Sequence, residues 1–173
     1  MMRVKLLIPN EHHKAMVLSY KEEFIASGDS MDGTAGLSGV ETYEIWLEAL
    51  RQNSSEETVK AGLVPASTYL CIDESTGRLV GMIDIRHKLN AYLLKIGGHI
   101  GYSVRKSERR KGYATEMLRL SLEVCKSLEI ERVLVTCDKS NLGSSKTIVN
   151  NGGQLENEVD DDKRVVQRYW IDV

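Results

Sequence analysis

From Gly98 to Leu128 the hydrophobic period changes from two to 3.6. His99 to Val104 alternates, with Ile100, Tyr102 and Val104 on one side and His99, Gly101 and Ser103 on the other, as a strand does. A turn crowded with Arg105, Lys106, Arg109, Arg110 and Lys111 follows. Beyond Gly112, Ala114, Met117, Leu118, Ser121, Cys125 and Leu128 recur at helix spacing, while Glu116, Arg119, Glu123 and Lys126 fill the opposite face. The stretch predicts a strand, a basic turn and a helix with one buried side.

The remaining pattern fits around this unit. Arg3 to Ile8 is a short apolar strand stopped by Pro9, and Asn10 can cap a helix reaching about Ala26, with Ala15, Val17, Leu18, Phe24 and Ile25 as its apolar positions. Ser27 to Val40 is a glycine-rich loop, long enough to be functional or mobile. Thr42 to Gln52 returns to helix spacing, and Asn53 to Lys60 is a polar connection. Ser67 to Ile72 and Leu79 to Ile85 read as a hairpin around Asp73 to Gly77. Between Arg86 and Gly98, the segment Ala91 to Leu94 fits either a helical turn or a loop. Arg132 to Cys137 is nearly unbroken in apolar character, as in a strand buried on both faces and parallel to the first. Asn141 to Asn151 predicts a short helix closed by Gly152 and Gly153. Gln154 to Val159 and Arg164 to Ile171 predict two terminal strands around Asp160, Asp161 and Asp162.

Composition narrows the class. At 173 residues, 42% hydrophobic and 28% charged, the chain suits one soluble globular domain over 1–173. A net charge of −2 argues against a general nucleic-acid binder and makes the basic turn a local feature. Cys71, Cys125 and Cys137 lack CxxC spacing and lie in apolar patterns, which fits reduced, buried thiols in the cytoplasm. No apolar run is long enough for a membrane span, and no metal-ligand spacing stands out; the adjacent His12 and His13 diverge by about 100° on a helix.

The turn before the central helix carries the chemistry. The first N–H groups of a helix lack partners and sit at the positive end of its dipole, so cations and a glycine placed there build an anion site suited to phosphate. Neither a triphosphate-binding loop nor a dinucleotide fingerprint is present. The motif is Arg109-x-x-Gly112-x-Ala114. It resembles the acetyl-CoA pyrophosphate loop of the GNAT superfamily of N-acyltransferases, and the order of elements is similar to that superfamily throughout. The run from Gly98 to Glu158 is similar to a mostly uncharacterised bacterial group of predicted acetyltransferases.

The resemblance implies an α/β (α+β) fold, a mixed central sheet of about seven strands with about four helices. It implies acetyl-CoA as cosubstrate and a small-molecule or peptide amine as acceptor, with no nucleic acid or membrane partner; a homodimer is common among similar proteins. The backbone of Tyr102, Ser103 and Val104 is expected to bind the pantetheine arm. The N–H groups of Arg110, Lys111, Gly112, Tyr113, Ala114 and Thr115 are expected on the phosphates, with Arg109 setting the loop. Asn141 matches a family position that contacts the cofactor, though a plain helix cap explains it equally, and Ser144 and Ser145 follow on the same side.

One position departs from the family. Many relatives carry a tyrosine that protonates the departing thiolate where this chain has Ile148. An amine acceptor must lose a proton to attack, and His99 lies near the point where relatives place a base. The alternative is a histidine satisfied by neighbouring backbone. Tyr102 and Tyr169 are weaker candidates, as proton donors. Cys137 with Asp138 and His99 suggests a thiol nucleophile, against a core cysteine. A non-catalytic acyl-CoA-binding module and a basic-loop nucleic-acid binder stand as alternatives to the N-acetyltransferase.

Overall fold

The computed structural model describes residues 2–173. The elements follow the predicted order: β1 (Val4–Leu7), α1 (Lys14–Ser27), α2 (Tyr43–Asn53), β2 (Ala66–Asp73), β3 (Leu79–Arg86), β4 (Ile100–Val104), α3 (Tyr113–Ser127), β5 (Arg132–Asp138), α4 (Leu142–Asn150), β6 (Gln154–Asp161) and β7 (Arg164–Asp172). The undecided stretch before β4 contains a π-helical turn at Leu93–Gly97 that buries Leu93 and Ile96.

Local chemistry sets the helix ends. Asn10 Oδ1 accepts from His12 N–H at 2.9 Å and Asn10 N–H donates to His13 Nδ1 at 3.1 Å, so this capping box engages both residues of the histidine pair. Thr42 Oγ1 caps α2 by accepting from Ile45 N–H at 3.2 Å. Gly28, at φ +71°, closes α1. The buried residues of α1 are Val17, Tyr20 and Phe24, whereas Ile25 is exposed. Tyrosine, with its polar tip, was not among the predicted apolar positions; its ring is buried because its hydroxyl reaches Ser103.

Seven strands form one sheet in the order β1-β2-β3-β4-β5-β7-β6, and every adjacent pair is antiparallel except β4 with β5. One core cluster packs α3 and α4 residues such as Met117, Leu118 and Ile148 on Ile83, Ile100 and Val135. A second packs α1 and α2 residues such as Tyr20 and Trp46 on Leu70 and Met82. Each fully buried Leu, Met or Ile contributes roughly 1.5–3 kcal/mol, so together these clusters hold the four helices against the sheet.

The β4–β5 junction positions the site. Ile100↔Val135 is the one register pair between these strands among the described residues, and beyond it they part. The junction is tied from both sides. His99 N–H donates to Leu134 O at 2.7 Å, and Leu134 N–H donates to His99 Nδ1 at 2.9 Å. Gly98 sits at φ +68°, where a Cβ would lie 2.7 Å from Leu134 O. Thr136 Oγ1 donates to Ile96 O at 2.6 Å and holds the π-helical turn on β5.

Candidate active site

The parting of β4 from β5 opens a cleft of about 910 Å³. Tyr102, Ser103, Val104, Arg109, Arg110, Gly112, Tyr113, Ala114, Thr115, Asn141 and Ser144 all line it, so most of the predicted positions converge on one space. Lys111, Ser145 and His99 are not among the lining residues.

One wall is an open strand edge. Arg105 N–H donates to Val80 O and Arg86 N–H to His99 O, so odd-numbered residues of β4 turn their backbone groups toward β3. Tyr102 and Val104 therefore present theirs to the cleft. Val104 O accepts from Arg109 Nε at 2.9 Å, which leaves Tyr102 N–H, Tyr102 C=O and Val104 N–H facing it. Ser103 corrects the expectation: it pairs with Met82, its carbonyl accepts from Tyr20 at 3.0 Å, and its backbone faces away from any pantetheine arm.

The second wall is the start of α3. Among the described residues, no N–H from Arg110 to Thr115 has a protein partner; the first bonded amide is Glu116 N–H, on Gly112 O at 3.2 Å. Arg110 at φ +61° and Gly112 at φ +87° turn the chain so that successive amides converge, the geometry of an anion nest at a positive helix end. Tyr113 anchors this turn by donating to Asp73 Oδ2 at 2.5 Å. Hydrogen bonds from Ser75 and Tyr113 hold the Asp73 carboxyl down at about 2.

Fewer of the cations are free than the turn's composition implies. Arg105 is buried, with Nε 2.8 Å from Glu23 Oε2. Arg109 pairs with Asp29 at 2.8 Å and stacks over Phe24 at 5.7 Å. Lys111 Nζ lies 2.8 Å from Glu108. Arg110 and Lys106 have no carboxylate partner among the described residues. The anion site is therefore mainly backbone, with Arg110 as its free charge.

Two further predicted positions come from α4. Asn141 Oδ1 caps the helix by accepting from Ser144 N–H at 3.1 Å, and the residue also lines the cleft, so both of its readings fit. Ser145 donates to Leu142 O at 3.1 Å and serves the helix itself. Ile148 is fully buried in the core. Tyr102 reaches across from β4 and sets its hydroxyl 2.6 Å from Ser144 Oγ. Burial pushes its pKa up to about 12.

His99 does not have the geometry of a base. Its Nδ1 lone pair is engaged by the Leu134 amide, and burial, with the Arg86 charge nearby, pushes its pKa down to about 4. Tyr169 donates within its own strand to Gln167 at 2.9 Å. The Cys137 thiol lines the cleft, but burial pushes it up to about 11, and His99 is occupied elsewhere, so no thiol dyad forms.

Several lining residues were not singled out in the sequence. Arg86 comes from the end of β3, Thr136 from within β5 and Thr147 from α4. Asp29, Ser30, Asp32 and Gly33, within the glycine-rich loop, line the cleft as well, and Gly33 lies over β4: a Cβ on it would stand 2.2 Å from Gly101 O. Four glycines in that loop signalled unusual backbone, but not its target.

Residues 31–154 match the family model described as Acetyltransferase (GNAT) domain. The chain belongs to the acetyltransferase (GNAT) domain family. The uncharacterized N-acetyltransferase YjdG of Bacillus subtilis (strain 168) is 35% identical over 73 residues, 42% of this chain and 40% of that protein's length. The fold is similar to that of the ribosomal-protein-S5-alanine acetyltransferase from Vibrio fischeri, with a TM-score of 0.73 at 15% identity over 99% of this chain and 94% of that one. It is also similar to RimL, a ribosomal L7/L12 alpha-N-protein acetyltransferase in complex with coenzyme A, with a TM-score of 0.71 at 16% identity over 98% and 94%. In this GNAT domain the open β4 edge and the amide nest at α3 line one and the same cleft.

Proposed function

We propose that this GNAT domain transfers the acetyl group of acetyl-CoA directly to a primary amine. The parting of β4 and β5 at Ile100↔Val135 carries the reading, because it exposes strand-type hydrogen-bonding groups inside the sheet. Tyr102 C=O and Val104 N–H are placed to bond an extended amide-bearing arm such as pantetheine as an added strand. The six amides from Arg110 to Thr115 suit the pyrophosphate, each charge-assisted bond netting roughly 1.5–3 kcal/mol. Acetyl-CoA supplies an activated thioester carbonyl. The backbone N–H of Tyr102, not used by the arm, polarises that carbonyl as an oxyanion hole does.

Tyr102 takes the role left open by Ile148. Its raised pKa keeps the phenol protonated near neutral pH, and the hydroxyl donates toward the departing thiolate while Ser144 Oγ holds it in place. The amine nitrogen forms the new bond to the acetyl carbon, and the carbon–sulfur bond breaks with its electron pair going to sulfur. The phenol proton passes to the thiolate, and water returns a proton to Tyr102. The amine's own proton leaves through water at the open mouth, since His99 is engaged with Leu134. The acceptor, a small-molecule or peptide amine, enters on the α1 and α2 face beside Asp29 to Gly33. A cytoplasmic site of action fits the three free, buried thiols.

Calorimetry with acetyl-CoA, followed by thiol release on an amine panel, tests the reading. Heat with turnover is expected. No binding at millimolar cosubstrate would remove the proposal, and binding without turnover on any amine would leave the acyl-CoA-binding module, the reading that buried Ile148 favours.

A further inference from the structure

On the α1 and α2 side of the sheet the cleft meets a fixed guanidinium. Arg86 is the last residue of β3, and its side chain is 23% exposed. Nε lies 3.0 Å from Asp84 Oδ2, and Nη1 donates to Gly97 O at 3.3 Å. Asp84 is itself buried and held by Thr68 Oγ1 at 2.8 Å, so the carboxylate that balances Arg86 lies behind it. Nη2 has no hydrogen-bond partner among the described residues.

The position of this group is set by β4. A Cβ on Gly101 would stand 3.1 Å from Nη2 and 3.4 Å from Nη1, so the guanidinium lies against the strand just before the exposed edge of Tyr102 and Val104. At about 3.3 Å per strand residue, an anion held there sits within a few bonds of the reacting centre. Arg86, Gly33, Tyr92 and Thr136 line the same space. Asp32, beside Gly33, lines it too, and its negative charge suits the amine end of a zwitterion. The free Nη2 N–H groups can donate to a carboxylate oxygen, and a guanidinium whose plane is already fixed from behind loses little freedom on binding.

We propose that Arg86 selects acceptors that carry a carboxylate within a few bonds of the amine, as an α-amino acid does. This rests on the acetyltransferase reading above. Arg86 then governs acceptor specificity, separately from the amide nest that holds the cosubstrate. An isolated alkylamine leaves the free Nη2 of Arg86 unmatched and is the poorer substrate.

The test uses matched pairs, each an α-amino acid and its α-carboxamide, with wild type, Arg86→Gln and Arg86→Lys. Acetyl-CoA binding is measured calorimetrically in all three proteins, as a check on folding and on the cosubstrate site. Wild type is expected to favour the carboxylate member at least about tenfold in kcat/KM, chiefly through KM, the size of one lost charge-assisted contact. Arg86→Gln is expected to collapse that ratio toward one with the acetyl-CoA Kd within about twofold, and Arg86→Lys to keep part of it. Equal rates within each pair, or a ratio that survives in Arg86→Gln, would overturn the assignment. So would a protein that binds acetyl-CoA yet neither binds nor acetylates any carboxylate in the panel. Failure of wild type to bind acetyl-CoA would instead sink the acetyltransferase reading on which the assignment stands.

Discussion

The hydroxyl of Tyr102 and Oγ of Ser144 lie 2.6 Å apart, joining the open edge of β4 to the first turns of α4 across the mouth of the cleft. The pair is placed to share one proton. A tyrosine pushed up to about 12 stays protonated throughout the range in which an amine acceptor becomes neutral.

Tyr102→Phe should lower kcat about 100-fold and leave the acetyl-CoA Kd within a few-fold, since the ring and backbone are retained. Ser144→Ala should cost less, about 3- to 10-fold, because water can take over the hydroxyl contact. Steady-state kinetics with calorimetry measures both. A Tyr102→Phe enzyme at full rate would show that the thiolate leaves unassisted.

Gly112 is at φ +87°, and a Cβ there meets only Met2 Cε, at 3.7 Å. Packing within the protein does not forbid a side chain, but backbone strain disfavours it, and under the proposed function so does the approach of a phosphate. Gly112→Ala should destabilise the protein by about 1–2 kcal/mol and weaken acetyl-CoA binding at least tenfold. Gly112→Val should abolish binding. Thermal melts and titration separate the two effects.

Gly33 and Gly101 touch through backbone alone. Gly33→Ala forces a Cβ to within 2.2 Å of Gly101 O, so the loop must lift from β4. The expected result is a loss of about 1–3 kcal/mol in stability and a rise in acceptor KM larger than any change in acetyl-CoA Kd. Equal effects on both ligands would show that the loop does not border the acceptor space.

The depressed pKa of His99 makes a pH prediction with a definite sign. The folded protein holds this imidazole at about 4, whereas the unfolded chain has about 6.5. Between those values the unfolded state binds more protons, so the contribution is complete above pH 6.5 and is lost as pH falls toward 4, by about 3 kcal/mol. Urea midpoints across pH 4 to 7 should show this slope. His99→Asn, whose Oδ1 can still accept from Leu134 N–H, should flatten it. Turnover in that variant should stay within a few-fold of wild type, and kcat/KM should rise with pH up to the acceptor's own pKa. A rate limb that disappears with His99→Asn would restore the base assignment.

Much of the fold was legible because β4 and α3 carry strong periods, and because the turn from Arg109 to Ala114 is local in sequence. What was illegible depends on register and distance. Period two in β4 says that Tyr102 and Ser103 face opposite ways, but only the pairing with Met82 says which backbone faces the cleft. The loss of free charge in the basic turn comes partly from Glu23 and Asp29, about 80 residues earlier in the chain. His99 looked available because its partner, the Leu134 amide, belongs to a strand whose splay no alternation pattern reveals.

A sheet whose two halves share one register pair, Ile100 and Val135, among the described residues, with the His99–Leu134 bonds beside it, has a built-in gap in its load path. An arm lodged there would bridge the halves as a brace, making the cosubstrate part of the scaffold as well as a reactant. Resistance to proteolysis should then follow acetyl-CoA concentration, with about 2.7 kcal/mol of added stability at one hundred times the Kd. On that footing, the durability of the protein in a cell reports the local supply of activated acetyl groups.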